Sequence, residues 1–353
     1  MTRLSLLLIT LALLLVGCGG SEPPEAAATD AGPAKAEPVS MRVAAITAVG
    51  TPWNDMWVRF EERMDEAALP QVDLQMYVTG QLGSEESTLS NMRRGRVQVG
   101  GYSLQGAASV VPELSIILAP FLFDSRDEVD YVMDEYLADV FTDLFAAKGL
   151  HFVQWAEVGW TNIYSREPVL APDDVSGLAF RTSPAEGARL FGEAMGVDLI
   201  SIPFPEVVPS LQTGLIRAGQ SGVGMYALTG IAQEAPHFTR TRHAFDTGVV
   251  IANKAWFDAL APEVQHAFRD AIDPIDFSRQ DVRDVLEQIE NETFPEIGVV
   301  VHELAPAERD AWREATAGSH ERLIEQAGGR SQEVYDAILA GKAAFAAQQP
   351  GEG

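Results

Sequence analysis

From residue 41 onward, short apolar runs of strand length alternate with amphipathic runs of helix length. The first segments predict a strand at 41–46, a helix at 51–64, a strand at 72–78, a helix at 84–94 and a strand at 97–102. Thr51-Pro52 predicts the start of the first helix, because threonine is a good N-cap and proline suits the first helical turn. This β-α-β-α-β order is typical of a parallel sheet with helices on both faces. The sequence therefore predicts an α/β fold.

The same alternation continues through the second half of the chain. It predicts a helix at 124–147, strands at 151–155, 178–182, 199–202, 242–252 and 298–304, a helix from Ser183 to about Met195 that opens with a capping box, and a short helix at 206–212. A further helical pattern runs from Pro262 to about Thr293, and Pro274 is expected to kink it. At about 1.5 Å per residue this helix would be roughly 45 Å long. A helix of that length would have to pass along two lobes.

The N-terminal residues predict where the protein works. Arg3 precedes an apolar run at 4–16, which is shorter than the roughly 20 residues that span a bilayer and is typical of a secretory signal. The run ends in Leu-Val-Gly-Cys at 15–18, which resembles the bacterial lipobox. Cys18 is the only cysteine, so it has no disulfide partner; a free thiol in an ordinary signal peptide is the alternative. We expect a periplasmic protein that a lipid on Cys18 anchors to a bacterial membrane.

Composition identifies flexible flanks and excludes one class of partner. Residues 19–40 are rich in Ala, Pro, Glu and Gly and hold few large apolar side chains, so they predict a flexible linker. Residues 348–353 predict a flexible tail. The 51 acidic against 25 basic residues leave a net charge of -26, which repels nucleic acid. We therefore expect no nucleic-acid partner, and membrane contact through the lipid alone.

The sequence carries no catalytic or metal-binding pattern. It has no glycine-rich phosphate loop, no G-x-S-x-G elbow and no H-E-x-x-H spacing among its six histidines. His237 and His243 are close in sequence, but their segment is predicted as a loop entering a strand, which favours surface imidazoles. Acid pairs such as Glu85-Glu86 favour helix-dipole partners or solvated charges over catalytic dyads. We expect a binding protein without metal or cofactor, and not an enzyme.

Several short motifs, in a fixed order, carry a resemblance to a known family. They are GQLGSE at 80–85, VPEL at 111–114 and APFLF at 119–123, then GLAFRTSP at 177–184, IPFPEV at 202–207 and LQTG at 211–214, and finally NKAW at 253–256 and LAPEVQ at 260–265. Over Arg42 to about Phe345 the chain thus resembles the extracytoplasmic solute-binding subunits of TRAP transporters, the DctP-type proteins. The resemblance implies capture of a small molecule and its delivery to a large and a small membrane permease subunit, driven by an ion gradient.

The resemblance also implies a fold, which is a two-lobed, periplasmic-binding-protein-like clamp with a long helix bracing both lobes. The helix predicted at 262–293 agrees with that brace. Residues 41–158 and about 247–285 are assigned to lobe I, and residues 159–246 and about 286–347 to lobe II. Such a clamp closes on its ligand between the two lobes.

Two residues are assigned to the ligand site by the family's motifs. Arg181 stands where the family places an arginine that binds a substrate carboxylate, and a guanidinium offers two parallel donors that match two carboxylate oxygens. The alternative is a structural arginine paired with a protein carboxylate. Phe204 stands where the family places a phenylalanine against the ligand, and a core phenylalanine is the alternative.

The chain departs from the family pattern at two further positions. Thr161 stands where many members have a second arginine, and Ser221 stands where an asparagine often contacts the ligand. We therefore expect a less polar site, lined by aromatic residues. The aromatic candidates are Trp160, Tyr102 and Trp53, in addition to Phe204.

These departures favour an organic acid with an apolar or aromatic body as the ligand. The alternatives are a neutral or hydrophobic ligand with Arg181 in a structural role, and a lipid-anchored sensor or small-molecule chaperone of the same fold. A hydrolase is disfavoured, because the sequence has no nucleophile-base pattern.

Overall fold

The computed structural model describes residues 38–182, 186–202 and 204–348. The predicted signal, Cys18 and nearly all of the predicted linker lie outside the described residues. So do residues 183–185, which hold most of the predicted capping box, and residues 349–353 of the predicted tail.

The described strands form one mixed, nine-stranded sheet. They are β1 (Val39–Ala44), β2 (Val72–Tyr77), β3 (Val99–Ser103), β4 (Leu150–Ser165), β5 (Ala179–Thr182), β6 (Asp198–Ser201), β7 (Ala218–Gly222), β8 (His237–Asn253) and β9 (Val300–His302). Their order is β2-β1-β3-β8-β4-β7-β5-β6, with β9 paired to β8. The sequence predicted parallel pairing, which holds for β1 with β2 and β3, and for β5 with β6 and β7. At the centre, β4 and β8 are antiparallel to each other, β8 to β3 and β4 to β7.

Helices cover the sheet. They are α1 (Pro52–Glu66), α2 (Glu85–Arg93), α3 (Leu104–Ala108), α4 (Arg126–Val132), α5 (Ala138–Ala146), α6 (Pro172–Val175), α7 (Glu186–Ala194), α8 (Val207–Thr213), α9 (Val223–Leu228), α10 (Ile231–Glu234), α11 (Lys254–Asp258), α12 (Pro262–Ala271), α13 (Ile275–Gln288), α14 (Phe294–Glu296), α15 (Pro306–Ala315), α16 (Ser319–Ala327) and α17 (Ser331–Gln348). Turns of 3-10 helix lie at Pro112–Leu118 and Phe204–Glu206, and π-helical turns at Met133–Leu137 and Ile289–Thr293. Thr51 accepts a hydrogen bond from the Asn54 backbone N–H at 3.3 Å, as its predicted N-cap role requires.

Strands β4 and β8 run through both halves of the sheet, with lengths of 16 and 17 residues. The beginning of β4 and the end of β8 lie with β1, β2 and β3, which we call the first half. The end of β4 and the beginning of β8 lie with β5, β6, β7 and β9, which we call the second half. Their mutual register shifts at three places, one of them between Glu157 and Gly159. Both strands are longer than predicted, because polar residues such as Glu157 and Asn162 interrupt the apolar runs.

Four apolar clusters hold the sheet and helices together, one on each face of each half. In the first half, Trp57 and Phe268 belong to one cluster, and Phe141 and Trp155 to the other. In the second half, Tyr226 and Phe238 belong to one cluster and Phe180, Phe191 and Trp312 to the other. All of these rings are almost fully buried. At about 25 cal/mol per Å² of apolar surface removed from water, such clusters supply most of the folding free energy.

The helix predicted from Pro262 to about Thr293 is two helices. α12 ends at Ala271, Ile272 is extended, and α13 begins after Pro274. Proline has no backbone N–H and disfavours helical geometry at the residue before it, so Pro274 breaks the helix instead of kinking it. The second helix continues through a π-helical turn to Glu296 and contacts elements of both halves, among them α1, β4 and α9. The predicted brace is therefore the segment after Pro274.

The last helix, α17, packs against the first half. Val334 and Ile338 of α17 pack in the same cluster as Phe123 and Val129. The predicted division placed residues 286–347 in lobe II, which this packing does not follow; the lobe boundaries stay a prediction. α17 also extends to Gln348, which bonds the Tyr131 hydroxyl at 2.7 Å. Among the described residues, no helix combines the length and the apolar character needed to cross a bilayer.

Candidate ligand-binding site

A cavity of about 360 Å³ is lined by residues of both halves of the sheet. The first half contributes the segment after β1, the first turns of α1 and the end of β3. The second half contributes the end of β5, the start of α7, β7 and the start of α9. Ligands of open α/β sheets bind beyond the carboxyl ends of the parallel strands, and β1, β3 and β5 all end here. The volume suits a small organic molecule.

Arg181 is the positively charged group of this cavity. It lies at the end of β5, is 7% exposed, and donates through Nη2 to the Ile202 carbonyl at 3.3 Å. Its guanidinium carbon lies 5.8 Å from the centre of the Phe204 ring. Its Nε is buried without a hydrogen-bond partner, and no carboxylate of the described residues forms an ion pair with it. Burial lowers the pKa of Arg181. A buried guanidinium without a counter-ion is costly, so this geometry is suited to an anionic ligand.

Gly219 makes room for Arg181. It pairs with Arg181 across β5 and β7, and a Cβ atom on Gly219 would lie 2.3 Å from the Tyr164 hydroxyl and 3.1 Å from the Arg181 Cβ. Only a residue without a side chain fits between the two. The Tyr164 hydroxyl is itself buried without a hydrogen-bond partner, and burial raises its pKa.

Six of the seven predicted ligand-contacting residues line this cavity. They are Trp53, Tyr102, Thr161, Arg181, Phe204 and Ser221. Trp53 connects the halves, because its Nε1 donates to the Glu157 carbonyl at 2.7 Å and its ring lies beside Gly224 of α9. Thr161 and Ser221 lie on the neighbouring strands β4 and β7.

Trp160 does not belong to the cavity lining formed by the described residues. Its ring packs edge-on against Phe245, with 5.0 Å between centroids. Successive residues of a strand point to opposite faces, so Thr161 faces the cavity and Trp160 faces the core beneath. We therefore remove Trp160 from the predicted site.

The cavity wall also holds carboxyl groups that the sequence did not predict for the site, and Glu85 is one of them. Glu85 opens α2, and its two carboxylate oxygens accept hydrogen bonds from the backbone N–H and the hydroxyl of Ser103, both at 2.6 Å. Burial raises the pKa of Glu85, and these two hydrogen bonds oppose that shift. The sequence predicted a helix-dipole partner or a solvated charge; Glu85 does lie in the first turn of α2, and in addition it lines the cavity.

Asp246 is a second carboxyl group of the cavity wall. It lies on β8, opposite Gly159 at a register shift. Its Oδ1 is buried and has no hydrogen-bond partner among the described residues. Burial raises the pKa of Asp246 to about 7, a hydrogen bond from the Thr247 backbone lowers it, and the nearby charge of Glu85 raises it. The sequence signal was an aspartate inside an otherwise strand-like run.

His243 is buried, and the expectation of a surface imidazole is wrong. Its Nδ1 lies 2.7 Å from the Thr241 hydroxyl and its Nε2 lies 2.7 Å from Gln220 Oε1. Its ring stacks on Phe191 at 3.9 Å between centroids. Burial, helped by the charge of Arg309, lowers the pKa of His243 to about 3. The imidazole is therefore neutral, and it holds Gln220 in the cavity wall.

The described residues provide no metal-binding cluster. No cluster of three or more His, Cys, Asp or Glu side chains among them could hold an ion.

The fold and the cavity together define a class of protein. An α/β sheet in two halves, joined by two long strands, with a ligand-sized cavity between the halves, is a clamp-type binding protein.

The comparison with known proteins identifies the family. The chain belongs to family 7 of the bacterial extracellular solute-binding proteins, the DctP family, which matches residues 43–327. The members of this family bind solutes for transporters, which agrees with the prediction of a binding protein and not an enzyme. The resemblance found in the sequence motifs is thereby confirmed, as is the two-lobed α/β fold class.

Relatives and solved structures agree with this family. The 2,3-diketo-L-gulonate-binding periplasmic protein YiaO of Escherichia coli is 27% identical over 59% of this chain and 64% of its own length, which is a little under two thirds. The ectoine-binding periplasmic protein TeaA of Halomonas elongata is 25% identical over 79% of this chain and 83% of its own. A TRAP periplasmic solute-binding protein from Roseobacter denitrificans, solved with β-D-glucuronate, matches with a TM-score of 0.78 at 23% identity, over 85% of this chain and 99% of that one.

Proposed function

We propose that this protein is the lipid-anchored solute-binding subunit of a TRAP-type secondary transporter. It captures a small organic acid in the cavity between its two halves and delivers it to the membrane permease subunits. Two observations support transport over other uses of the fold, namely the family match and the relatives that are named for periplasmic binding of small solutes. The proposed anchor is a lipid on Cys18.

The observation that supports an acidic ligand is the unpaired guanidinium of Arg181. In the described residues it has a carbonyl and an aromatic ring as neighbours, and no carboxylate. A ligand carboxylate would accept the planar pair of N–H groups and supply the missing negative charge. The unpaired state argues against the alternative in which Arg181 binds a protein carboxylate.

The remaining lining supports a ligand whose body is partly apolar. Trp53, Phe204, Met56 and Met225 all line the cavity, and such side chains gain free energy when they lose water to an apolar group. Thr161 and Ser221 supply small hydroxyl groups in place of longer polar side chains. We propose that these residues, with Arg181 and Tyr102, contact the ligand.

The test is calorimetric titration of the wild type, Arg181→Ala and Arg181→Lys with small carboxylic acids selected by thermal shift. Truncation strands the buried carboxylate, so Arg181→Ala should weaken binding by about 2–5 kcal/mol, or roughly 30-fold to several-thousand-fold. Arg181→Lys should restore only part of the affinity, because an ammonium cannot reproduce the planar fork.

The matched control is Arg217→Ala. Arg217 lies in the same half but pairs with Glu167 in an exposed position, so its loss should leave binding unchanged. Melting curves of each variant establish that the fold is intact. Equal affinity of a folded Arg181→Ala and the wild type for every acid would overturn the carboxylate role.

A further inference from the structure

We infer that the cavity has a second, acidic subsite, formed by Glu85 and Asp246, which takes a cationic N–H group of the ligand. The substrate class is then a zwitterionic acid, with a carboxylate on Arg181 and a protonated amine or amidine on Glu85 and Asp246. This inference rests on the proposed function and narrows its ligand.

Glu85 is held in place as an acceptor. Besides the two hydrogen bonds from Ser103, the Ser103 hydroxyl itself accepts from the Gly106 backbone N–H at 3.0 Å. A Cβ atom on Gly106 would lie 2.6 Å from Glu85 Oε2, so the carboxylate packs directly on that glycine. The N-terminal turn of α2 also favours negative charge at Glu85. These contacts orient the carboxylate and leave no cation of the described residues paired with it.

Asp246, the second carboxyl group of the proposed subsite, has an oxygen whose hydrogen-bonding capacity is unsatisfied among the described residues. Its Oδ1 is buried and accepts no hydrogen bond, and no arginine or lysine of the described residues forms an ion pair with it. A buried polar atom without a partner is rare and destabilises the folded protein. Asp246 and Glu85 line the same cavity and are close enough for their charges to interact. A ligand N–H between them would satisfy both carboxylates.

The charges of the cavity lining favour a zwitterionic ligand over a simple carboxylate. The ionisable groups of the described lining are one arginine, two carboxylic acids, the neutral His243 and Tyr102, whose pKa is raised by burial so that it stays neutral. A simple carboxylate would add a third negative charge to a closed cavity, which is costly without a counter-ion. A zwitterion adds no net charge and gives each buried charge a partner. A sugar acid supplies hydroxyl donors to Asp246 but leaves its charge uncompensated.

The experiment uses pairs of acids that differ only in the amine. Suitable pairs are L-phenylalanine with 3-phenylpropanoate, pipecolate with cyclohexanecarboxylate, and 4-aminobutyrate with butyrate. D-glucuronate serves as a hydroxyl-rich acid without a cation. We expect the amine-bearing member of at least one pair to bind the wild-type protein at least 10-fold more tightly than its partner and than D-glucuronate, by calorimetry at pH 7.5.

Variants separate the two subsites. Asp246→Asn and Glu85→Gln should each abolish the preference for the amine without weakening the simple acid, because they remove charge and preserve shape. Glu86→Gln is the matched control, since Glu86 is the exposed neighbour of Glu85 on the same helix. It should leave the preference intact. Two variants are used so that a folding defect in one does not decide the result.

Each outcome distinguishes this inference from the proposed function. If simple acids or D-glucuronate bind as tightly as the amine-bearing acids, and Arg181→Ala abolishes that binding, the acidic subsite is refuted and the proposed function stands. If the preference survives both carboxyl-to-amide variants, Glu85 and Asp246 are not its source. If no member of any pair binds, the zwitterionic class is overturned.

Discussion

At the scale of single residues, two ionisable side chains of the cavity wall lie in surroundings that are less favourable for their charged forms than water is. Arg181 is buried and forms no ion pair with a carboxylate of the described residues, and Asp246 has a pKa raised by burial to about 7. Groups perturbed by burial, together in one cleft, are typical of functional sites. Burial of these groups destabilises the empty protein, and a ligand of matching charge recovers that free energy by pairing with them.

The perturbed pKa of Asp246 predicts a pH-dependent stability. The folded protein holds a proton there up to about pH 7, whereas the unfolded chain releases it near 3.8. Because the folded pKa is raised, its stabilising contribution is lost as pH rises from about 4 to about 7. Asp246→Asn should therefore raise the free energy of unfolding at pH 8 by on the order of 4 kcal/mol, and change it little at pH 4.5. Urea denaturation at both values measures this; an equal change at both would contradict it.

Gly219 predicts a local steric effect. Gly219→Ala would place a methyl group 2.3 Å from the Tyr164 hydroxyl, so Tyr164 and Arg181 must move. Overpacking of this kind costs about 1–3 kcal/mol, which thermal or urea denaturation would detect. Gly222→Ala on the same strand is the control, because its nearest contact would be 3.9 Å and its effect should be under about 0.5 kcal/mol. Similar stabilities of the two variants would refute the steric argument.

At the scale of elements, ion pairs hold α13, in the segment after Pro274, against the first half. Arg283 of α13 donates to Glu157 of β4 at 2.6 Å and to Asp130 of α4 at 2.8 Å, and Arg279 bonds Asp134 at 2.6 Å. The Glu157 side chain is only 2% exposed. The break at Pro274 sets the direction of this helix, and the buried charges fix where it rests on the sheet.

These ion pairs predict the effect of Arg283→Ala. Among the cations of the described residues, its loss leaves the buried Glu157 paired with Arg126 alone, at 3.9 Å. Removing one partner of a buried pair costs about 3–5 kcal/mol, and we expect about 3 kcal/mol in urea denaturation. Arg330→Ala is the control, since Arg330 pairs with Glu333 on an exposed helix surface, where pairs contribute little. A loss of under about 1 kcal/mol for Arg283→Ala would show that the network does not stabilise the fold.

At the scale of the whole molecule, β4 and β8 are the connections about which the two halves could rotate. One of the three shifts in their register lies beside Gly159 and Asp246, and Asp246 lines the cavity. A ligand that contacts both halves favours a closed arrangement by its differential affinity. We expect small-angle scattering to give a smaller radius of gyration with a saturating acid that binds in calorimetry. An unchanged radius would count against closure.

The proposed anchor predicts a change of compartment. Cys18→Ser removes the sulfur that carries the lipid, so the variant should lose stable attachment to the membrane. Cell fractionation and mass measurement of the N-terminal peptide check this. A Cys18→Ser protein that remains lipidated and membrane-bound would refute the lipobox interpretation.

The sequence by itself determined the α/β class, most element positions and the family, because these depend on local periodicity, caps and short motifs. It also predicted that Arg181 and Phe204 belong to the site, because the family motifs place them there, and both line the cavity. The antiparallel centre of the sheet required the tertiary structure, because polar residues interrupt the apolar pattern of the two long strands. The tertiary structure also showed that the predicted helix breaks at Pro274.

The charge balance of the cavity was likewise decided only by the tertiary structure. Glu85 and Asp246 are 161 positions apart in the sequence, and their shared cavity arises only when β8 brings Asp246 beside the end of β3 and the start of α2. The side-chain period of β4 directs Trp160 to the core and Thr161 to the cavity. Burial and the distances between charges are properties of the packed chain, and they are what give Arg181, Glu85 and Asp246 their chemistry.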